Sequence, residues 1–272
     1  MKKILVFGAS GFVGSHIVQA FKEIPLTKST ESQRIDSPWT VTRENVTLLG
    51  VSRDADQLKK KISKLTNPYA EALRGIDWET CDVMNRDDLA KLFERHPDAT
   101  AVISCIGGFG KSEEAMRKAN GPPNINIVHA VYENESIRKL VYISAAKMVY
   151  KNINRLIRGY YSGKLSVEDA MLLNLGERGT IIEPGFMYGQ RQVGNVELPL
   201  GLVGAPLACL TKPLYKLLGW RLFTPPIEAR MVAKCALLGC LSTQTPDKRI
   251  VTDFQGKIDY DKMRLLIDKY GS

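Results

Sequence analysis

Two side chains in the segment GYYSGK, residues 159–164, have the types and spacing for proton chemistry: Tyr160 and Lys164, in a YxxxK arrangement. Four residues apart on a helix, they share one face. An ammonium beside a phenol favours the phenolate and is expected to lower the Tyr160 pKa. Tyr160 would then serve as a general acid or base. The bland alternative is that both side chains decorate an amphipathic helix.

A second pattern lies at the start of the chain. The apolar run KILVF (3–7) leads into GASGFVGSHIVQAF. This reads as a buried strand, a tight glycine turn and a helix. Gly8 lets the chain turn, Gly11 lets backbone N–H groups approach a pyrophosphate, and Gly14 lets the helix pack on the sheet. Ser10, Phe12 and Val13 complete the turn, and the helix N-terminus adds partial positive charge. The pattern indicates a dinucleotide site. TLLGV (47–51) reads as the second strand and ends in Ser52 and Arg53. A guanidinium and no carboxylate at that tip favour a ribose 2′-phosphate, hence NADP(H) over NAD(H). This holds only if TLLGV is the second strand. A polar insertion, residues 27–46, puts it further from Gly14 than the usual ~20 residues.

The elements that must position these groups alternate along the chain. ADQLKKKISKL reads as a helix, IDWET as a strand and RDDLAKLFERH as a helix. AVISC (101–105) is a strand, NINIVHAVYEN a helix and KLVYI (139–143) a strand, followed by a helical pattern through about Leu175. GTIIEPG (179–185) and RIVTD (249–253) read as the last two strands. Such alternation predicts an α/β, Rossmann-type doubly wound parallel sheet, with a small C-terminal substrate-side region. Residues 1–272 fit a single domain of this kind.

Composition narrows the function. The net charge is +9, and Arg138, Lys139, Lys147, Lys151, Arg155, Arg158 and Lys164 fall in one stretch, read as a solvated helix face or a surface for anionic partners. No nucleic-acid module is present. The five cysteines form no CxxC pair and the three histidines are scattered, which argues against a metal site or disulfide framework. No signal peptide is visible, although a presequence removed before this numbering begins would leave the same sequence.

GASGFVG, CDV (81–83), the YxxxK pair and EPGFMYG (183–189), in that order, resemble short-chain dehydrogenases/reductases of the extended or atypical type. The resemblance implies that Asp82 and Val83 contact adenine, that Cys105, Ile106 and Gly107 lie against the cofactor, and that Pro184 and Gly185 lie by the nicotinamide. It implies that Lys164 also holds the nicotinamide ribose. Enzymes of the family orient the substrate carbonyl with a hydroxyl just past the fifth strand. In VYISAAK (141–147) that group is Ser144 in one register, while the other register places Ala146 there. Many atypical members have Arg where Glu183 stands. Within the family the chain is similar to members that accompany coenzyme Q biosynthesis in fungal mitochondria and to plastid proteins of plants. More distantly it resembles the NADPH-binding accessory subunit of respiratory complex I. That implies a mitochondrial setting on the matrix side of the inner membrane, with a plastid or cytoplasmic one as the alternative.

Residues 190–228 contain LPLGLVGAPLACLT, too short for a membrane span of ~20 residues, and then KPLYKLLGWRLF. This segment suits a lid over an apolar substrate, a membrane interface or ordinary core. Two functions therefore stand, and a nucleotide-sugar epimerase is a third, weaker option that the apolar segment and the Ala145-Ala146 pair count against. One is an NADP(H)-dependent oxidoreductase on a quinone precursor or lipid-like carbonyl. The other is a non-catalytic NADPH-binding subunit of a membrane-associated mitochondrial complex, with no nucleic-acid partner in either case.

Overall fold

The computed structural model describes residues 2–24, 46–146, 157–193, 196–199, 211, 224–244 and 247–271. Most of the polar insertion, the stretch holding Lys147, Lys151 and Arg155, and most of the apolar segment lie outside the described residues.

Seven strands among the described residues form one parallel sheet: β1 (Lys2–Phe7), β2 (Val46–Ser52), β3 (Asp77–Thr80), β4 (Ala99–Ser104), β5 (Lys139–Ile143), β6 (Gly179–Ile182) and β11 (Gly256–Ile258), in the order β11-β6-β5-β4-β1-β2-β3. The chain direction across the sheet reverses between β1 and β4, where open α/β sheets leave a ligand crevice at the carboxyl edge. Short pairs lie outside it, β7 (Met187–Tyr188) with β10 (Ile227–Glu228) and β8 (Gln190–Val193) with β9 (Val196–Pro199).

Strand β1 shows why both faces are covered. Ile4, Leu5, Val6 and Phe7 are all fully buried. Alternation sends Ile4 and Val6 into one apolar cluster and Leu5 and Phe7 into the other. Each such side chain contributes about 1.5–3 kcal/mol by leaving water. One cluster lies under α1 (Phe12–Glu23), α3 (Pro68–Arg74) and α8 (Ala229–Leu241). The other lies under α4 (Arg86–Arg95), α6 (Pro122–Glu133) and α7 (Arg158–Asn174). Beside them stand α2 (Ala55–Ser63) and α5 (Glu113–Asn120).

The sheet settles the second strand. Phe7 pairs with Val51, so Ser52 and Arg53 follow directly at the carboxyl edge, next to the glycine turn. The insertion displaces this corner in sequence and leaves it in place in space.

RIVTD is a correction. These residues belong to a helix, α9 (Lys248–Asp253), and the last sheet strand is Gly256–Ile258. Asp247 caps α9 by accepting from the Arg249 N–H at 2.9 Å. Ile250 and Phe254 are buried while Lys248 and Arg249 are exposed, a helical spacing that a five-residue apolar run does not reveal. A final helix, α10 (Tyr260–Tyr270), closes the chain. The basic stretch is also less solvated than expected, because Lys139 and Lys164 are buried.

Backbone packs closely at Gly14, where a β-carbon would lie 2.2 Å from the Gly8 carbonyl oxygen and 2.6 Å from the Ala9 α-carbon. Gly14→Ala is expected to lower stability by about 1–3 kcal/mol through overpacking. Gly108→Ala, where a β-carbon would meet nothing within 4 Å, should change it by less than about 0.5 kcal/mol. Urea denaturation of the two variants checks both.

Candidate active site

The site is built at the carboxyl edge from three backbone features and one helix. The first is the glycine turn. Gly8 has φ +80°, a left-handed conformation that favours glycine. The Gly11 N–H donates to the Gly8 carbonyl at 2.9 Å. Helix α1 begins with no side-chain cap and no acidic residue in its first turn, so no carboxylate opposes an anion there. Tyr69 Oη pins the turn by donating to the Ser10 carbonyl at 2.7 Å. These residues fit a pyrophosphate.

The second feature is the rim for the rest of a dinucleotide. Asp54, the carboxylate nearest Ser52 and Arg53 in sequence, accepts from the Gln57 N–H at 2.8 Å and caps α2. Exposed Arg53 makes no ion pair among the described residues. Asp82 is exposed and accepts from the Met84 N–H at 3.0 Å, while Val83 is buried and its carbonyl accepts from Asn126 Nδ2 at 3.0 Å. The Cys105 N–H donates to the Phe7 carbonyl at 2.9 Å, which keeps Cys105, Ile106 and Gly107 beside the turn. Past β6, the Pro184 carbonyl accepts from the Ala146 N–H at 2.8 Å, with Gly185 next in the chain.

The third feature is the loop after β4 that carries Gly107, and helix α7 lies against it. The helix can approach α5 because Gly159 has no side chain: a β-carbon there would lie 1.8 Å from the Glu113 carbonyl oxygen. This contact places Tyr160 and Lys164 over the loop after β4. Lys164 is buried, and its Nζ donates to the Ile143 carbonyl at 2.7 Å. The ammonium sits 4.7 Å from the Tyr142 ring centre and 5.8 Å from that of Tyr160. At Gly107 a β-carbon would lie 3.2 Å from Lys164 Nζ, so the ammonium is at the edge of the loop after β4. Burial lowers the Lys164 pKa to about 8, against the opposing influence of Cys105 and Glu168.

Tyr160 departs from the expectation of a lowered pKa. Burial, helped by Tyr161, pushes it up to about 12. The ammonium lies over the ring, 5.8 Å from its centre, and donates to the Ile143 carbonyl, so desolvation of the phenolate wins. Phe109 stacks on Tyr160 at 4.7 Å with an interplanar angle of 12°.

Ser144 is buried, and its hydroxyl donates to Glu168 Oε1 on α7. Buried Glu168 also accepts from Lys257 on β11, and Lys257 reaches Glu183 at 2.8 Å. Burial pulls the Lys257 pKa down, but its bonds to Glu168 and Glu183 outweigh this and hold it above the usual lysine value. The chain explains the charge reversal at position 183. The cation that compensates buried Glu168 comes from β11, and Glu183 is its second anion.

Sequence reasoning missed Asn120, Phe109 and Lys257. Asn120 is fully buried. Its Nδ2 donates to the Gly108 and Met116 carbonyls, both at 2.7 Å, and its Oδ1 accepts from the Gly108 N–H at 3.2 Å. It therefore clamps the loop that carries Gly107 and Phe109. The Gly107-Gly108 pair signals a loop, but nothing local marks the asparagine that holds it, and Lys257 lies 93 residues beyond Lys164 in the chain.

The profile of the NAD dependent epimerase/dehydratase family matches residues 4–156, and the chain belongs to that family. An uncharacterized chloroplastic protein of Arabidopsis thaliana is 31% identical over 210 residues, 76% of this chain and 57% of the relative. The chain thus spans little more than half the length of that relative. Yeast methylglyoxal/isovaleraldehyde reductase, complexed with NADPH, superposes with a TM-score of 0.58 at 16% identity, covering 94% of this chain and 77% of the reductase. UDP-glucuronic acid 4-epimerase from Bacillus cereus, in complex with NAD, superposes with a TM-score of 0.53 at 15% identity, covering 94% and 77%. These likenesses establish the fold. The family and the glycine turn support binding of an NAD(P) cofactor.

Two outcomes follow from the buried charges. In the unfolded chain Lys164 keeps its ordinary pKa of 10.5 and in the folded protein about 8. The unfolded state therefore holds the extra proton between those values, and folding stability rises with pH across that window. Stability measured at pH 7 and pH 9.5 should increase more in the wild type than in Lys164→Met. Lys257→Met should cost about 1–3 kcal/mol at neutral pH by leaving Glu168 without its cation. A companion Lys257→Arg should restore most of that loss in urea denaturation.

Proposed function

We propose that this protein is an NADP(H)-dependent oxidoreductase that reduces an apolar carbonyl compound, a quinone precursor or a lipid-like aldehyde or ketone. The observation that carries this reading is Tyr160 and Lys164 four residues apart on α7, with Lys164 Nζ 3.2 Å from where a β-carbon of Gly107 would lie. When bound, the reduced dinucleotide supplies hydride. Lys164 would hold the ribose and Tyr160 would protonate the carbonyl oxygen. A phenol with its pKa pushed up to about 12 keeps its proton at neutral pH, which suits the acid of a reduction. Arg53, with Asp54 committed to capping α2, supports recognition of a 2′-phosphate. The exposed rings of Phe109 and Phe186 support a substrate with apolar surface. A nucleotide sugar would ask for polar groups in their place.

The reading extends to a link with ubiquinone biosynthesis at the matrix side of the mitochondrial inner membrane, supported by the resemblance of VYISAAK, GYYSGK and EPGFMYG. The chloroplastic Arabidopsis relative supports a plastid setting instead. Among the described residues, no helix is long and apolar enough to cross a membrane. A second reading is a non-catalytic NADPH-binding subunit of a membrane complex. The engagement of the Ser144 hydroxyl by Glu168, with Ala146 at the alternative position, favours it.

Purified protein with NADPH and decanal, 2-undecanone or decyl-benzoquinone separates the two. The oxidoreductase reading expects NADPH oxidation that falls about 100-fold or more in Tyr160→Phe, the scale of a lost general acid, while NADPH still binds. Tight NADPH binding with no turnover of any of the three would move the assignment to the subunit. Arg53→Glu should weaken NADPH relative to NADH by about tenfold or more, the scale of one charge-assisted contact.

A further inference from the structure

A carbonyl reduced by hydride develops negative charge on oxygen, and two convergent donors stabilise that charge better than one. Tyr160 is one. The hydroxyls of β5 do not supply the other. Tyr142 and Ser144 lie on one side of the strand extension, but Tyr142 is fully buried and Ser144 donates inward to Glu168. Two residues further on, Ala146 is partly exposed at the site and has no donor in its side chain. Ser162 turns back onto the Gly159 carbonyl at 3.2 Å.

Tyr161 stands where a donor is missing. Its hydroxyl donates to the Ala146 carbonyl at 3.2 Å. Its ring meets the Tyr160 ring edge-on, with centres 5.5 Å apart and planes at 79°. The hydroxyl is thus beside the residue that leaves the gap, on the neighbour of the proposed acid, with its proton already aimed at a carbonyl. The bond is longer than the ~2.7–2.8 Å usual for O–H···O, so a better-placed acceptor can replace it.

We propose that Tyr161 is a second catalytic tyrosine, whose hydroxyl donates a hydrogen bond to the substrate carbonyl oxygen in place of a side chain at Ala146. This rests on the oxidoreductase reading above. In the step, the carbonyl carbon gains hydride from the reduced dinucleotide and the C=O π pair moves to oxygen. The oxygen takes the Tyr160 proton, solvent reprotonates Tyr160, and Tyr161 keeps its proton throughout. The products are the alcohol and the oxidised dinucleotide.

The test compares wild type, Tyr161→Phe, and Tyr161→Phe combined with Ala146→Ser, using NADPH and whichever of the three probe carbonyls turns over fastest. Tyr161→Phe keeps the ring and is expected to lower kcat by about 100-fold, the scale of one lost donor, with unchanged NADPH affinity. Ala146→Ser in that background should recover at least tenfold of the loss. A purely structural Tyr161–Ala146 bond would lower the melting temperature without moving kcat, and that result, or a loss that Ala146→Ser does not relieve, overturns the proposal. A readout without turnover is the carbonyl infrared band of 2-undecanone bound to the NADP⁺ complex. The band should lie at lower frequency in the wild type than in Tyr161→Phe, and equal bands overturn the proposal. Turnover or ketone binding that is identical in wild type and Tyr161→Phe removes this inference and leaves the oxidoreductase reading standing. Absence of both turnover and ketone binding in the wild type removes both.

Discussion

A lysine ammonium held under the carboxyl edge of the sheet is the constraint around which this site is arranged. Lys164 is buried, and among the described residues no carboxylate lies within ion-pair distance of it. Its charge is met by the Ile143 carbonyl and the face of Tyr142. Desolvation without a direct counter-ion is costly, so the surrounding parts must hold it there. Gly159 brings α7 onto α5, Asn120 clamps the loop after β4, and Gly107 leaves room at the ammonium. On the proposed function, the ribose hydroxyls of a dinucleotide would complete this environment.

The framework was readable because it rests on local signals. The apolar strands and the glycine turn each speak within ten or so residues, and the parallel order follows from the strand–helix alternation. The turn from KILVF into GASGFVG and the corner at Val51-Ser52-Arg53 both fall where the sequence puts them. What was not readable depends on distance. RIVTD reads as a strand because five residues cannot show a period. Only Asp247 before it and Phe254 after it reveal the helix. The direction of the Tyr160 shift depends on how deeply α7 is buried and where the Lys164 ammonium points, neither of which the YxxxK spacing states.

The reversed charge at Glu183 shows the same division. In sequence it is a lone departure from the resemblance. In space it closes a chain from Ser144 through Glu168 and Lys257. Burying Glu168 requires a cation, and β11 provides one from the far end of the polypeptide. The C-terminal strand therefore supplies a cation beneath β5 and β6 as well as extending the sheet. The same chain takes the Ser144 hydroxyl inward, which on the proposed function leaves the substrate carbonyl to the two tyrosines of α7.

The central claim is that a dinucleotide lies across the carboxyl edge with its nicotinamide at Tyr160. A crystal structure of the NADPH complex measures this directly. The account predicts the pyrophosphate on the Gly8–Gly14 turn, Lys164 Nζ on the ribose hydroxyls, and Tyr160 Oη close enough to the nicotinamide C4 for a carbonyl to bridge them at reacting distances of about 3–3.5 Å. A nicotinamide pointing away from Tyr160, with Lys164 still bonded only to the Ile143 carbonyl, would contradict it.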